Sequence, residues 1–241
     1  LAQKKIKVYG LDTRLSPPNI DQLRKSFSNV NFILGHIDHD LLDKCSLIVT
    51  SPGFKYETLK KKYNHKIVSD VELFSREAKA PIIAVTGTNG KSTVTSLVGL
   101  VLQSAGFDIL MGGNLGEPVL DLLKKKNPDY FVLELSSFQL ENTYSLKPLV
   151  GAVTNISIDH LDRHSSFSVY QKIKESLLQS ATNIVVCRDE PWTLKYLRNS
   201  NIRTSSLCPP DKKGFGILQK EIDPIFSWGS TPLFRAKDIK I

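Results

Sequence analysis

Cysteine is scarce: the 241 residues hold three, Cys45, Cys187 and Cys208, odd in number and without metal-ligand spacing. That pattern supports neither a disulfide framework nor a zinc site and suits a reducing cytoplasm. No apolar run is long enough to span a membrane, and residues 1–7 lack the apolar core of a signal peptide. No internal repeat or low-complexity tract is visible. The 32 Lys and Arg outnumber the 24 Asp and Glu, giving a formal net charge of +8, yet no basic stripe is interleaved with aromatics. A basic balance admits nucleic acid, an anionic membrane surface or polyanionic small molecules as partners; most of the lysines read as solvated faces, and nucleic acid stays a weak alternative. Lys60, Lys61 and Lys62, and Lys124, Lys125 and Lys126, close helical patterns, where cations complement the helix dipole.

What is present is an ordinary globular composition, 41% apolar, enough for one large domain or two modest ones. Strand-like runs at 6–9, 31–34, 47–50 and 66–68 alternate with helical patterns at 21–28, 38–44 and 56–63, which predicts parallel βα units. Asp70 is a good N-cap for a helix over 71–79, so a domain boundary is expected near 69–70, dividing the chain into 1–69 and 70–241. A second set follows, with strands at 82–85, 107–110, 130–135, 150–155 and 184–187 and helices near 93–104, 117–126, 167–180 and 190–199. Beyond Arg203 the pattern weakens into short pieces such as 232–236, which read as hairpin or edge strands. The fold class is α/β.

Between the run at 82–85 and the helical repeat of Val94, Leu97, Val98, Val101 and Leu102 lies Gly87-Thr88-Asn89-Gly90-Lys91-Ser92-Thr93. Glycines at a strand-to-helix junction let backbone N–H groups turn toward an anion, the helix N-terminus adds its dipole, and Lys91 adds a full charge. Ser92 and Thr93 offer hydroxyls to magnesium. The segment departs from the G-x-x-x-x-G-K-[ST] template, since Val85 stands where the first glycine belongs. As a bare string it also reads as a Gly-Asn turn capping a helix; the flanking strand and helix favour phosphate binding.

Magnesium ligands in such a protein belong at the carboxyl ends of neighbouring strands. Glu134 interrupts an otherwise apolar strand just before Ser136 and Ser137, and a buried carboxylate there is costly unless it meets a cation. The competing reading is an exposed residue on an edge strand. The next strand runs into Asn155-Ile-Ser-Ile-Asp159-His160-Leu-Asp162-Arg163, where His160 is a candidate for a second magnesium or a phosphate, and Asp159 and Asp162 also suit helix capping. In the following helix Val169, Ile173 and Leu177 form the expected buried stripe, with Lys174 beside it, four residues from Tyr170. Helix spacing alone makes Lys174 a solvated lysine. Asp12-Thr13-Arg14, Ser51-Pro52-Gly53 and Gly112-Gly113-Asn114-Leu115-Gly116 each follow a strand and read equally as plain turns or as contacts to a large ligand.

Taken together, Thr86 to Thr93, Leu133 to Glu141, Gly112 to Gly116, Ser51 to Gly53, Asp12 to Arg14 and Asp159 to Arg163 resemble the Mur ligases, the amide-forming enzymes of peptidoglycan precursor synthesis, and within them the branch that adds D-glutamate. The resemblance covers nearly the whole chain. It implies a truncated Rossmann-like N-terminal domain over 1–69 that binds a UDP substrate, followed by a P-loop Mur-ligase central ATPase domain with a mainly parallel sheet over 70–241. It also implies a fragment, lacking a first strand and glycine-rich turn at one end and a third domain at the other, from which no turnover is expected in isolation. A monomer in the bacterial cytoplasm is expected, with no membrane insertion.

By the same resemblance the cofactors are ATP and two magnesium ions. Gly87, Thr88, Asn89, Gly90, Lys91, Ser92 and Thr93 hold the nucleotide phosphates. Ser92 and Glu134 serve the first magnesium and His160 the second, while Lys174 matches a family lysine that is carbamylated into a carboxylate-like metal ligand. Lys91, His160 and Lys174 form the implied catalytic set. Asp12, Thr13 and Arg14 contact the uracil end of UDP-N-acetylmuramoyl-L-alanine, Ser51, Pro52 and Gly53 its diphosphate region, and Asn114, Ser136 and Gln139 its muramoyl-alanine part. The implied reaction activates the L-alanyl carboxylate as an acyl phosphate, which the amine of D-glutamate attacks. A sibling Mur or folylpolyglutamate-type ligase with another acceptor, and a non-catalytic nucleotide-binding module, are the alternatives. Retention of Glu134, His160 and Lys174 argues against the last.

Overall fold

The computed structural model describes residues 6–52, 54, 57–196 and 201–205, and the backbone of strands at 215–219, 225–228 and 231–235. The chain divides into two compact units, Leu1–Ile48 and Val49–Ile241. In the first, β1 (Tyr9–Asp12) pairs in parallel with β2 (Asn31–Leu34) across α1 (Ile20–Ser26), and α2 (His39–Lys44) follows. Asp38 caps α2, its carboxylate accepting the Leu41 N–H at 2.9 Å. The first strand lies three residues later than its expected span at 6–9, which makes Asp12 its last residue.

Two-residue strands β3 (Ile48–Val49) and β4 (Ile67–Val68) bracket α3 (Glu57–Tyr63) and precede α4 (Asp70–Glu77). Segment 49–69 belongs with the second unit because its links run there. Ser69 N–H donates to the Asn142 carbonyl at 2.9 Å, and Lys60 pairs with Glu141 at 2.8 Å. The cap of α4 is Ser69, not the expected Asp70: its extended backbone lets its hydroxyl accept the Glu72 N–H at 3.0 Å, and Asp70 is already helical.

The second unit is built on a six-stranded parallel sheet. Its strands are β5 (Ile82–Thr86), β6 (Ile109–Gly113), β7 (Tyr130–Glu134), β8 (Val150–Val153), β9 (Asn183–Cys187) and β10 (Ile202–Ser205), in the spatial order β10-β9-β8-β5-β7-β6. The expected α/β alternation is therefore present. Phe131, Leu133, Ile82 and Ala84 turn toward α4, where they pack with Val71 and Phe74; the Phe74 and Phe131 rings meet edge-on at 5.0 Å. Strands β11 (Phe215–Gln219), β12 (Ile225–Trp228) and β13 (Thr231–Arg235) form a separate antiparallel sheet, so the piece expected at 232–236 is one strand of three.

Several helices differ from their expected form. In α5 (Lys91–Ser104) the side turned to the sheet carries Thr95 and Gly99, while Leu97 and Val101, expected inside, are 55% and 66% exposed. The cause is close approach: a Cβ on Gly99 would lie 2.3 Å from Met111 Sδ, so only the smallest face of the helix fits against β6. The pattern over 117–126 yields only α6 (Val119–Leu122), started by Pro118 and followed by turns at Lys124 and Lys125. A helix absent from the expected set, α7 (Ser137–Leu140), follows β7. In α8 (Phe167–Ser180) the buried side is Tyr170, Lys174, Leu177 and Leu178, and Val169 is exposed. The region expected as a helix over 190–199 is a 3-10 helix at Pro191–Tyr196, with 197–199 outside the described residues.

Glu72 locks α4 to the chain after α7. Its carboxylate, fully buried, accepts the N–H groups of Tyr144 and Ser145 at 2.7 Å each, the Ser145 hydroxyl at 2.6 Å and Arg76 Nε at 2.8 Å. Burial pushes its pKa up, but these hydrogen bonds win and hold it below the ordinary value. The stability it contributes is therefore present above the unfolded carboxyl value and lost as pH falls through the lower folded one. Glu72→Ala, which strands two buried N–H groups and Arg76, is expected to cost about 3–5 kcal/mol in urea unfolding at pH 7, with the gap between variant and parent closing below about pH 4.

Candidate functional site

Because β5, β6, β7 and β8 are parallel, their carboxyl ends at Thr86, Gly113, Glu134 and Val153 share one sheet edge. The glycine-rich loop leaves the central strand β5 there. Gly87 adopts φ 149°, and a Cβ on it would stand 1.9 Å from Thr154 Oγ1, so no other residue fits. The chain beyond β8 holds the loop in shape. The Asn155 amide accepts the Asn89 N–H at 3.0 Å and donates to the Asn89 carbonyl at 2.9 Å, and Thr154 Oγ1 donates to that same carbonyl at 2.7 Å. Thr88 N–H donates to the Asn155 carbonyl at 2.9 Å, and the Thr88 hydroxyl shares a 3.0 Å hydrogen bond with the Tyr170 hydroxyl. Lys91 opens α5 and curls back, its Nζ donating to the Thr88 carbonyl at 2.8 Å, while Ser92 and Thr93 are exposed at the helix start.

Glu134 is 1% exposed on an interior strand, which removes the edge-strand reading. Its neighbour Leu133 points to the α4 side, so strand alternation turns Glu134 to the opposite face. Asn114 Nδ2 donates to Glu134 Oε1 at 2.7 Å, and Asn114 N–H donates to the Glu134 carbonyl at 2.8 Å. The register that brings these together depends on Gly113, at φ 108°, where a Cβ would meet the Glu134 carbonyl oxygen at 2.2 Å. Glu134 Oε2 is buried with no hydrogen-bond partner, and among the described residues only Thr95 Oγ1 shares that condition. An uncompensated carboxylate oxygen in this position costs several kcal/mol in principle, roughly what a cation ligand recovers.

Lys174 is 2% exposed, so it is not the solvated lysine that helix spacing alone suggests. Its Nζ donates to the Gly87 carbonyl at 2.7 Å and lies 4.7 Å from the centre of the Tyr170 ring. Burial, with the nearby Lys91 charge adding to it, pushes its pKa down to about 7. His160 sits in the left-handed region at φ 51°, its ring 5.0 Å from that of Phe138 and its Nε2 3.4 Å from Asp159 Oδ2. Among the described residues no three His, Cys, Asp or Glu side chains cluster as metal ligands. For a magnesium ion the residues present fit in part: Glu134 Oε2 and the Ser92 hydroxyl are suitable donors, whereas Lys174 fits only once its nitrogen carries an acidic group.

The other expected contacts are distributed as follows. Ser136 and Gln139 form a capping box on α7: Ser136 Oγ accepts the Gln139 N–H at 3.3 Å, and Gln139 Oε1 accepts the Ser136 N–H at 3.1 Å. Ser51 and Pro52 lie in a turn closed by Phe54 N–H on the Ser51 carbonyl at 3.0 Å; Gly53 lies outside the described residues. In the first unit Arg14 grips Asp12 through Nε at 2.9 Å and Nη2 at 2.7 Å, which holds the Asp12 carboxyl down at about 2. Thr13 lies between them. Asn155 and Tyr170, marked in the sequence only as the start of a polar cluster and as a neighbour of Lys174, and His164, not singled out at all, are the site residues whose roles sequence reasoning missed.

A phosphate loop at the carboxyl end of the central strand of a parallel sheet makes this a phosphate-loop α/β protein. Residues 85–215 match the model of the Mur ligase middle domain, and residues 1–69 that of the MurD-like Mur ligase N-terminal domain. The chain belongs to the Mur ligase family. It is 37% identical over 246 residues to a UDP-N-acetylmuramoylalanine–D-glutamate ligase of Pseudomonas savastanoi, covering 100% of this chain and 55% of that protein. To the protein of that name from Shewanella oneidensis it is 39% identical over 229 residues, 92% of this chain and 52% of the relative. The chain thus spans about half the length of the curated relatives it matches. Its fold is similar to that of a solved UDP-N-acetylmuramate:L-alanyl-gamma-D-glutamyl-meso-diaminopimelate ligase from Neisseria, with TM-score 0.58, 16% identity and coverage of 100% of this chain and 82% of the other. It is likewise similar to Thermotoga maritima MurF solved with ADP, at TM-score 0.57, 15% identity and coverage of 95% and 55%. Among the described residues no helix is long and apolar enough to cross a membrane.

Two outcomes follow for the ligand-free protein. Glu134→Gln removes an uncompensated buried charge while keeping the Asn114 contact, and is expected to raise stability by roughly 1–3 kcal/mol in urea unfolding without added metal. For Lys174 the folded pKa near 7 lies below the ordinary 10.5, so the unfolded chain binds the extra proton between those values. Stability should therefore rise with pH across that window, and Lys174→Met should flatten the rise.

Proposed function

We propose that this chain is the nucleotide-binding part of an ATP-dependent ligase that joins D-glutamate to UDP-N-acetylmuramoyl-L-alanine, in the bacterial cytoplasm. The observation that carries it is the buried Lys174 amine on the Gly87 carbonyl of the phosphate loop, together with the buried, unpartnered carboxylate oxygen of Glu134 at the same sheet edge as the loop. The names of the relatives support the choice of acceptor and sugar nucleotide. We keep 1–69 as the nucleotide-sugar domain and 70–241 as part of the ATP domain, following the N-terminal family match that ends at residue 69, while the segment 49–69 packs with the second compact unit. The protein is proposed to act as a monomer, and this chain in isolation is proposed not to turn over.

In this reading Gly87 to Thr93 cradle the nucleotide phosphates through the loop amides that Asn155 does not engage, those of Thr88 and Asn89 being held by Asn155, and through the Lys91 ammonium, with Ser92 and Thr93 at the helix start. Ser92 and Glu134 would hold a first magnesium, and His160 and a carbamylated Lys174 a second. Bound there, magnesium supplies charge neutralisation between nucleotide phosphates and the substrate carboxylate. At a pKa near 7 a good share of Lys174 is free amine at neutral pH, which is the form that adds carbon dioxide, with release of one proton. Asp12, Thr13 and Arg14 would bind the uracil end, Ser51, Pro52 and Gly53 the diphosphate, and Asn114, Ser136 and Gln139 the muramoyl-alanine part. The preformed loop and the capping box of α7 then hold these groups in place without reorganisation when the L-alanyl carboxylate becomes an acyl phosphate and the D-glutamate amine attacks it.

The test is phosphate release by the full-length protein with ATP and UDP-N-acetylmuramoyl-L-alanine while the amino acid is varied. Release is expected with D-glutamate alone; release only with another acceptor, or without the sugar nucleotide, overturns the reading. Lys174→Ala is expected to lower release at least a hundredfold, with partial recovery on adding formate or acetate to the space the side chain vacates.

A further inference from the structure

Phe138, His160, His164 and Tyr170 form a chain of ring contacts beside the phosphate loop. His164 is at its centre and is 3% exposed. Its Nε2 shares a 3.0 Å hydrogen bond with the Ser137 hydroxyl, the first residue of α7. Its ring stacks on Phe138 with centroids 5.2 Å apart and planes 17° from parallel, and tilts against Tyr170 at 5.4 Å. One buried imidazole therefore touches α7, which carries Ser136 and Gln139, and α8, which carries Lys174. Through its backbone it reaches a third element: the N–H groups of His164 and Arg163 both donate to the His160 carbonyl at 3.0 Å. That carbonyl belongs to the residue at φ 51°, a conformation that persists only where the surroundings over-determine it. Phe138, stacked on His164 on one side, is in contact with the His160 ring at 5.0 Å.

We infer that His164 is a positioning residue that locks the His160 turn, the start of α7 and the Tyr170–Lys174 face of α8 into one arrangement, so that metal-holding and substrate-holding groups are set together. This rests on the proposed function for what those groups hold. The Ser137 hydroxyl satisfies the buried ring nitrogen, and ring partners on two different helices hold the imidazole between them. Here the hydrogen bond fixes the ring plane, and the ring plane fixes Phe138 against His160. The coupling is mechanical, carried by packing and one hydrogen bond.

The test uses the full-length protein with Mn2+ titrated by electron paramagnetic resonance in the presence of ADP, beside melting temperature and the KM for UDP-N-acetylmuramoyl-L-alanine. His164→Phe keeps the stacking and loses the hydrogen bond. Ser137→Ala loses the same bond from the other side with little risk to folding. Each is expected to weaken Mn2+ binding about tenfold and to raise KM, the double variant being no worse than either single one, and His164→Gln is expected to recover most of the loss. Unchanged Mn2+ affinity in Ser137→Ala and His164→Phe, with only the melting temperature lowered, overturns the inference and leaves the functional reading intact. Absence of Mn2+ binding by the unsubstituted protein overturns both.

Discussion

The hydrogen bond from Lys174 Nζ to the Gly87 carbonyl, 2.7 Å long and sealed from water, is the constraint around which the site is arranged. It joins the middle of α8 to the first residue of the phosphate loop, so neither can shift without the other. A carbonyl is a poor partner for a full ammonium charge, and Lys91 is close enough to oppose that charge further. The site therefore raises the share of neutral amine near pH 7. The same bond spends the Gly87 carbonyl, while Asn155 spends both backbone groups of Asn89. The loop ends at the start of α5, a helix N-terminus suited to an anion.

The close spacing of the sheet edge follows from small residues placed where bulk is not tolerated. Gly87 admits Thr154, Gly113 admits the Glu134 carbonyl, and Gly99 admits Met111, each at a distance a Cβ would forbid. Through the last contact α5 sits low on β6, with Thr95 one turn nearer the loop on the same side. The cost appears on the other side of the helix, where Leu97, Leu100 and Val101 are left exposed. Glu72 plays the complementary part at the far side of the sheet, satisfying the chain that leaves α7 and fixing the helix on which Ser136 and Gln139 depend.

Much of this was legible in the sequence, and the exceptions share a physical origin. The alternation of apolar runs marked five of the six strands of the parallel sheet, the edge strand β10 being missed where the pattern weakens, and an acid inside an apolar strand marked Glu134, because both signals are local and have few alternatives. Burial of Lys174 was not readable from spacing: Val169, Ile173 and Leu177 form an equally good stripe, and only tertiary packing rotates α8 so that Tyr170 and Lys174 face inward. In α5 the helix is apolar nearly all round, so periodicity could not choose a face, and the choice fell to size rather than hydrophobicity. Ser69 displaced Asp70 as a cap because two adjacent residues were both competent and the backbone selected the one in extended geometry. His164 was invisible for a different reason, since its partners at 137, 138 and 170 are far apart in the chain.

Glu134 and Lys174 present opposite imbalances. Glu134 has an acidic oxygen with no partner, and Lys174 a basic nitrogen whose hold on its proton burial has weakened. Neither imbalance is corrected by the other, because each already has its own protein contact, Asn114 for Glu134 Oε1 and the Gly87 carbonyl for Lys174. On the proposed function both would be met together: carbon dioxide added to the free amine, with loss of one proton, would form an N–C bond and a second acidic group, and divalent cations would then give both acidic groups a partner. On the proposed function the phosphates of a nucleotide held by the loop would add anionic charge beside them. On the proposed reading the ligand-free site is thus incomplete by design of its charges, and the energy withheld from the empty state is available to bind metal and nucleotide together.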